Sequence, residues 1–257
     1  MKRLKIGELF AGIGGFSLGV ERAIPNSETI WMVEKDKFCQ SILKKHWPDA
    51  EIFDDVREVG SEDLKPVDIL LGGFPCQNIS IQNLNNREGL QGEKSSLWWE
   101  MHRVISELRP RVAIIENTAN IVNRGGVEVI GSLAEIGYSA EWTIISARQF
   151  GAPHVRKRWF CVAYPDEERC SQQSVHPESV DETFELECSS SKDERIHIGN
   201  YWKEHEAPPS LHNLDDGFPF VLARNQALGN AIVPQCSEWV GQQVLKSGLL
   251  DGPCFAE

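Results

Sequence analysis

Short apolar runs alternate with stretches of helical spacing from the start of the chain to about residue 164. Leu4 to Phe10 is a β-like run, and Gly14 to Ala23 has the spacing of a helix. Thr29 to Val33 is apolar and β-rich, while Phe38, Ile42 and Leu43 give Lys37 to His46 one apolar helical face. Glu51 to Phe53 is a short strand, and Val67 to Leu71 and Arg111 to Ile115 are continuous apolar runs of buried-strand type. Ser95 to Leu108 predicts a helix that Ser95 or Ser96 could cap, and Gly126 to Ile136 one closed by Gly137. Ala140 to Ser146 and Trp159 to Tyr164 form a late pair of strands. This alternation predicts an α/β fold, Rossmann-like, with a doubly wound, mostly parallel sheet and ligands at the carboxyl ends of its strands.

After Pro165 the pattern changes. Residues 166 to 210 are polar, acidic and rich in Ser, Glu and Pro, with few apolar anchors. They predict a small, weakly packed module or an insertion. Order returns with Ala223 to Pro234, followed by a helix from about Gln235 to Lys246. The expected organisation is a catalytic core over residues 1–164, a short acidic insertion over 165–221, and a segment over 222–257 that returns to the core.

The 257 residues, 41% hydrophobic, suffice for one sizeable core. No run approaches the ~18 apolar residues of a membrane helix, and the first residues enter a strand with no apolar leader. Seven cysteines, an odd number with no CxxC pair, predict a reducing, cytoplasmic setting without disulfides or a metal site. The net charge of −12 argues against a chain that adheres to nucleic acid over its whole surface. Fourteen acidic and four basic residues between Pro165 and Leu222 account for −10 of it. A basic footprint must then be local, and Arg148 with Arg156, Lys157 and Arg158 is the candidate.

Three motifs carry chemistry. Gly73-Phe74-Pro75-Cys76-Gln77 directly follows an apolar strand, so the fold presents a sulfur nucleophile at a strand mouth. The glycine-rich turn within Phe10 to Gly19 follows the first strand, where backbone N–H groups approach a ligand. Glu34 closes the second strand, where a carboxylate takes ribose hydroxyls in Rossmann-like folds. Glu116-Asn117 ends another apolar strand. Plain structural readings stand beside these. A glycine cluster can be a turn without a nucleotide, Glu116 an ordinary ion-pair partner, and Asn230 a helix cap. Arg156 and Arg158 can be solvated charges; their i, i+2 spacing entering a strand predicts one shared face. Cys39, Cys161 and Cys236 have the apolar or helical settings of buried cysteines.

In this order the motifs resemble the cytosine-C5 DNA methyltransferase family, in its small bacterial or phage, Dcm-like form. The resemblance covers roughly residues 3 to 164 and 222 to 247. It implies a class I S-adenosylmethionine-dependent fold that methylates C5 of cytosine in double-stranded DNA within a bacterial or phage-infected cell, near the nucleoid. It leaves open a separate endonuclease partner. It implies that Cys76 adds to C6 of a flipped base, that Glu116 serves ring N3, and that Arg158 or Arg156 contacts O2. Phe10, Gly12, Gly14, Glu34, Asp55, Val56, Pro75, Leu97, Asn230 and Ala231 would then line the S-adenosylmethionine site, and Gln77 to Gly92 would close over the base. Where the family usually has Val and Gln, this chain has Thr118 and His154, and its target-recognition region is unusually short. An RNA (tRNA) cytosine methyltransferase and a non-catalytic DNA- or partner-binding relative are the competing readings; the Cys-Phe-Thr signature of the RNA branch is missing, and both Pro75-Cys76 and Glu116-Asn117 are intact.

Overall fold

The apolar runs of the sequence pair side by side in the computed structural model, which describes residues 3–75, 96–152, 154–166 and 227–251. In chain order the elements are β1 (Leu4–Leu9), α1 (Gly15–Ala23), β2 (Ser27–Val33), α2 (Lys37–His46), β3 (Glu51–Phe53), β4 (Ile69–Gly73), α3 (Ser96–Leu108), β5 (Val112–Thr118), α4 (Gly126–Glu135), β6 (Tyr138–Ser146), β7 (Lys157–Pro165) and α5 (Pro234–Lys246). The strands make one seven-stranded sheet in the order β3-β2-β1-β4-β5-β7-β6. The first five strands in that order are parallel to one another, whereas β7 is antiparallel to both β5 and β6.

Both faces of the sheet are covered, which is why β4 and β5 are apolar at consecutive rather than alternate positions. On one face Trp98, Met101, Val104 and Ile105 of α3 and Val129 and Leu133 of α4 pack against Leu9, Trp31, Leu70 and Ile115. On the other, Phe16 and Val20 of α1 and Val240 and Val244 of α5 pack against Ile6, Leu71 and Ile114. Met32 turns to this second face and meets Leu43 of α2. The α2 helix begins where the Asp36 side chain accepts from Cys39 N at 2.9 Å, and it ends in Lys44, Lys45 and His46, which suit the negative end of its dipole.

Glycines bring α1 and α5 into close approach. A Cβ on Gly19 would collide with Ser237 Oγ and the Pro234 carbonyl oxygen and would stand 2.8 Å from Glu238 N. In an isolated helix alanine is favoured over glycine by about 1 kcal/mol. Here the overlap opposes that gain, and Gly19→Ala is expected to destabilise the fold by about 2 kcal/mol in denaturant unfolding. Unchanged or increased stability would show that the two helices can move apart without loss.

Most predicted elements sit within two or three residues of their expected bounds. The clearest difference is at β5, which runs to Thr118 because β7 pairs with it as far as the Thr118–Arg158 position. Glu116 and Asn117 therefore lie within a paired strand. A second difference concerns Arg156: β7 begins at Lys157, and Arg156 precedes it with φ of 22°, so strand alternation does not set its direction. Cys76, the stretch from Gln77 to Gly92, Ser95 and all but the first two residues of the expected 165–221 insertion lie outside the described residues.

Candidate active site

The order of strands reverses between β1 and β4, and an open α/β sheet leaves its crevice at such a point, beyond the carboxyl ends of the strands. Phe10, Glu34, Asp55 and Pro75 follow strands at this edge, and Glu116 lies two residues before the end of β5.

On the β1 side the backbone turns sharply. Phe10, Gly12 and Gly14 have φ of 57°, 56° and 82°. A Cβ at Gly12 would meet nothing within 4 Å, so the turn borders open space. The Gly12 N–H donates to Glu34 Oε2 at 2.7 Å, and Asp36 N donates to the other carboxylate oxygen at 2.7 Å. Gly14 caps α1 without any side-chain hydrogen bond, and of the first-turn N–H groups that of Ser17 is taken by Glu8. Asp55 accepts from Lys35 Nζ at 2.9 Å and from Arg57 N at 3.1 Å, and these contacts hold its carboxyl below the usual range. Val56 is buried beside it, and Leu97 is half-buried against the α3/α4 core. An open glycine turn flanked by two carboxylates is a cradle of the right chemistry for a nucleoside with free ribose hydroxyls.

Buried within β1 itself is Glu8, which accepts from Ser17 N at 3.1 Å and from the Ser17 hydroxyl. Burial pushes its carboxyl up to about 8 despite these bonds. Periodicity alone does not single it out. A lone acid inside an apolar strand, nine residues before a serine, was the available signal.

On the β4 side the chain reaches Pro75 along a pinned path. Asn117, almost wholly buried, donates from Nδ2 to the Phe74 carbonyl at 3.2 Å, and its Oδ1 accepts from Thr118 N at 2.7 Å. The Phe74 ring packs on Trp98 with 5.4 Å between centroids. Gly73 pairs in register with Glu116, and a Cβ at Gly73 would stand 3.0 Å from Glu116 Oε2. Only a glycine leaves the carboxyl this room. The strand that leads into Cys76 therefore leaves the sheet beside Glu116.

Glu116 is 8% exposed. Burial pushes its carboxyl up to about 7, against the opposing pull of Arg158 and Arg156. Arg158 Nε stands 2.9 Å from Glu116 Oε1. Near neutrality the group exists in both forms, which suits proton donation to a ring nitrogen. Thr118 and Arg158 are directly paired across β5 and β7, two residues along β5 from Glu116, so all three share one face. The Thr118 hydroxyl oxygen is buried without a hydrogen-bond partner among the described residues.

The expected basic footprint divides. Arg156 donates to the Gly229 carbonyl at 2.9 Å and to the Ala231 carbonyl at 2.7 Å. Arg158 is committed to Glu116. Arg148, His154 and Lys157 are exposed. Asn230 is exposed in a helical turn over 227–230 and does not cap α5, whose N-cap is Val233 with no side-chain bond. Cys39, Cys161 and Cys236 are buried, as expected, and burial pushes the thiols of Cys39 and Cys236 up to about 12. None of these three is poised as a thiolate. No cluster of metal-ligating side chains occurs among the described residues.

Two kinds of likeness bear on this arrangement. The chain is 35% identical over 158 residues to the type II methyltransferase M.CviJI of Paramecium bursaria Chlorella virus IL3A, covering 61% of this chain and 42% of that protein. It is also 35% identical over 167 residues to the type II methyltransferase M.Bsp6I of Bacillus sp. (strain RFL6), covering 63% and 52%. The fold superposes on the Entamoeba histolytica methyltransferase EhMeth with a TM-score of 0.56 at 19% identity, over 64% of this chain and 53% of that one. A Spodoptera frugiperda DNMT2 variant gives 0.53 at 20%, over 63% and 50%. The chain thus spans about half the length of these relatives. The sequence profile of C-5 cytosine-specific DNA methylase matches residues 4–215, and the chain belongs to that family.

Proposed function

We propose that the protein methylates C5 of cytosine in double-stranded DNA, using S-adenosylmethionine. The observation that carries this reading is the buried Glu116 carboxyl, lifted to about 7 and lying in register with Gly73, three residues before Cys76. The family's type II methyltransferase members support DNA as the substrate.

Phe10, Gly12, Gly14, Glu34, Asp55, Val56, Pro75, Leu97, Asn230 and Ala231 are proposed to line the cofactor site. The open turn at Gly12 admits the nucleoside, and the Glu34 carboxylate exchanges a backbone partner for ribose hydroxyls. When bound, S-adenosylmethionine supplies an electrophilic methyl group.

The ring of cytosine is too weakly nucleophilic at C5 to accept that methyl unaided. The Cys76 thiolate forms a bond to C6, the C5–C6 double bond opens, and the electron pair becomes available at C5. Charge develops at N3, where neutral Glu116 donates its proton. Arg158 holds the carboxyl in place and donates to the base O2. Once C5 carries the methyl group, its proton passes to water, the C5–C6 double bond re-forms as the C6–sulfur bond breaks and the thiolate leaves, and N3 returns its proton to Glu116. C6 is inaccessible in a stacked duplex, so the base is flipped into the site. Arg148 and Lys157 remain as the exposed cations nearest these groups in sequence for backbone phosphates.

Incubation with methyl-labelled S-adenosylmethionine and a mixed-sequence duplex is expected to put label on cytosine C5. Label on transfer RNA and none on DNA would replace this reading with an RNA methyltransferase, and label on neither would leave a non-catalytic relative.

A further inference from the structure

We infer that Arg156 is a positioning residue for the cofactor side of the site, acting through the backbone of residues 229–231, while Arg158 makes the direct ion pair with the carboxyl. The inference rests on the cofactor site proposed above. Its ground is the direction of the two guanidinium groups. Arg158 turns to Glu116 at 2.9 Å, whereas both terminal nitrogens of Arg156 turn to the carbonyls of Gly229 and Ala231, 73 and 75 residues away in sequence. The Arg156 backbone holds φ of 22°, an unusual value for a residue with a side chain, and this turn comes just before β7.

What Arg156 holds is the segment that closes the site from the side of α5. The Ile232 carbonyl lies against Gly15, closely enough that a Cβ there would collide with it. Ser237 Oγ donates to the Gly15 carbonyl at 3.2 Å. The Ile232 Cδ1 atom would stand 3.4 Å from a Cβ at Gly73, beside Glu116. One segment thus touches the glycine turn of β1 and the end of β4, and Arg156 ties it to the arginine pair. Burial and the neighbouring Arg158 both oppose the charge on Arg156, so its two carbonyl acceptors compensate a group that would otherwise be poorly solvated. A lysine can keep the charge but cannot span two carbonyls with a planar fork.

The test compares the intact protein with Arg156→Lys and Arg156→Met. Affinity for S-adenosylhomocysteine is measured by calorimetry and amide hydrogen exchange is followed by mass spectrometry. Both variants are expected to bind S-adenosylhomocysteine about tenfold more weakly. Amides in 231–233 are expected to exchange faster, while those of β4 and β5 keep their protection. In Arg156→Lys, kcat at saturating cofactor is expected to stay near that of the parent while the KM for cofactor rises. Unchanged exchange in 231–233 overturns the inference, as does a uniform loss of protection across the sheet or a fall in kcat with no change in KM. If the parent protein does not bind S-adenosylhomocysteine, the cofactor site proposed above fails, and hydrogen exchange still decides whether Arg156 seats the segment.

Discussion

Cys76→Ser is expected to abolish methyl transfer, lowering kcat by about 10⁴-fold or more, while cofactor binding stays nearly intact. Serine keeps the size and polarity of the side chain but not the ionisation. An alcohol is a far weaker nucleophile toward C6 at neutral pH than a thiolate. No described cysteine can substitute. Cys39, Cys161 and Cys236 are buried, with their thiols pushed up by that burial. Apart from Pro75, the proposed cofactor residues lie on other segments than the nucleophile, so affinity and chemistry are expected to separate in this variant. Equal loss of S-adenosylhomocysteine binding would mean that position 76 supports the pocket rather than the reaction, and retained turnover would remove it from its role.

Glu116→Gln is the second large effect. Glutamine can hydrogen-bond to ring N3 but has no acidic proton to give, and kcat is expected to fall by about 10²- to 10⁴-fold. The pH dependence is the sharper part of this prediction. Burial raises the Glu116 carboxyl from 4.5 to about 7, so the neutral acid is the dominant form below 7 and disappears above it. Turnover of the parent should therefore decline as pH rises through 7, approaching about tenfold per unit. The proposed Cys76 nucleophile has the opposite requirement, because its thiolate is the reactive form. Glu116→Gln is expected to remove the alkaline decline. A Gln variant that retains the alkaline decline would assign that titration to another group, such as Glu8, whose buried carboxyl is pushed up to about 8.

Local pattern made the sheet legible and long-range pairing was the part it hid. The bounds of α2 followed directly from helical spacing, and the short β3 coincides with Glu51 to Phe53. The extension of β5 through Glu116 and Asn117 was harder to see, since polar residues end an apolar run and pairing, with Gly73 of β4 at Glu116 and with β7 as far as Thr118, keeps them in the strand. Asn117 was read as the companion of Glu116; its amide in fact pins the Phe74 carbonyl at the approach to Pro75. Arg156 and Arg158 look alike in sequence as two cations in one basic cluster. The fold gives them different partners, and the partners of Arg156 are carbonyls more than 70 residues away. No periodicity carries that information. Glycines at 15, 19 and 73 read as turn or helix residues, and their need for close neighbours emerged only from α5, Ile232 and Glu116.

The proposed chemistry requires a covalent bond between Cys76 and the target base, and a duplex carrying 5-fluorocytosine at methylation sites would trap that bond. Fluorine at C5 cannot leave as a proton does, so elimination stops after methyl transfer and the sulfur stays attached to C6. With S-adenosylmethionine present, mass spectrometry should find the protein joined to the methylated strand through the peptide containing Cys76, and Cys76→Ser should give no adduct. Methylation of ordinary duplex with no trapped species on the fluorinated one, or an adduct on a different residue, would contradict it.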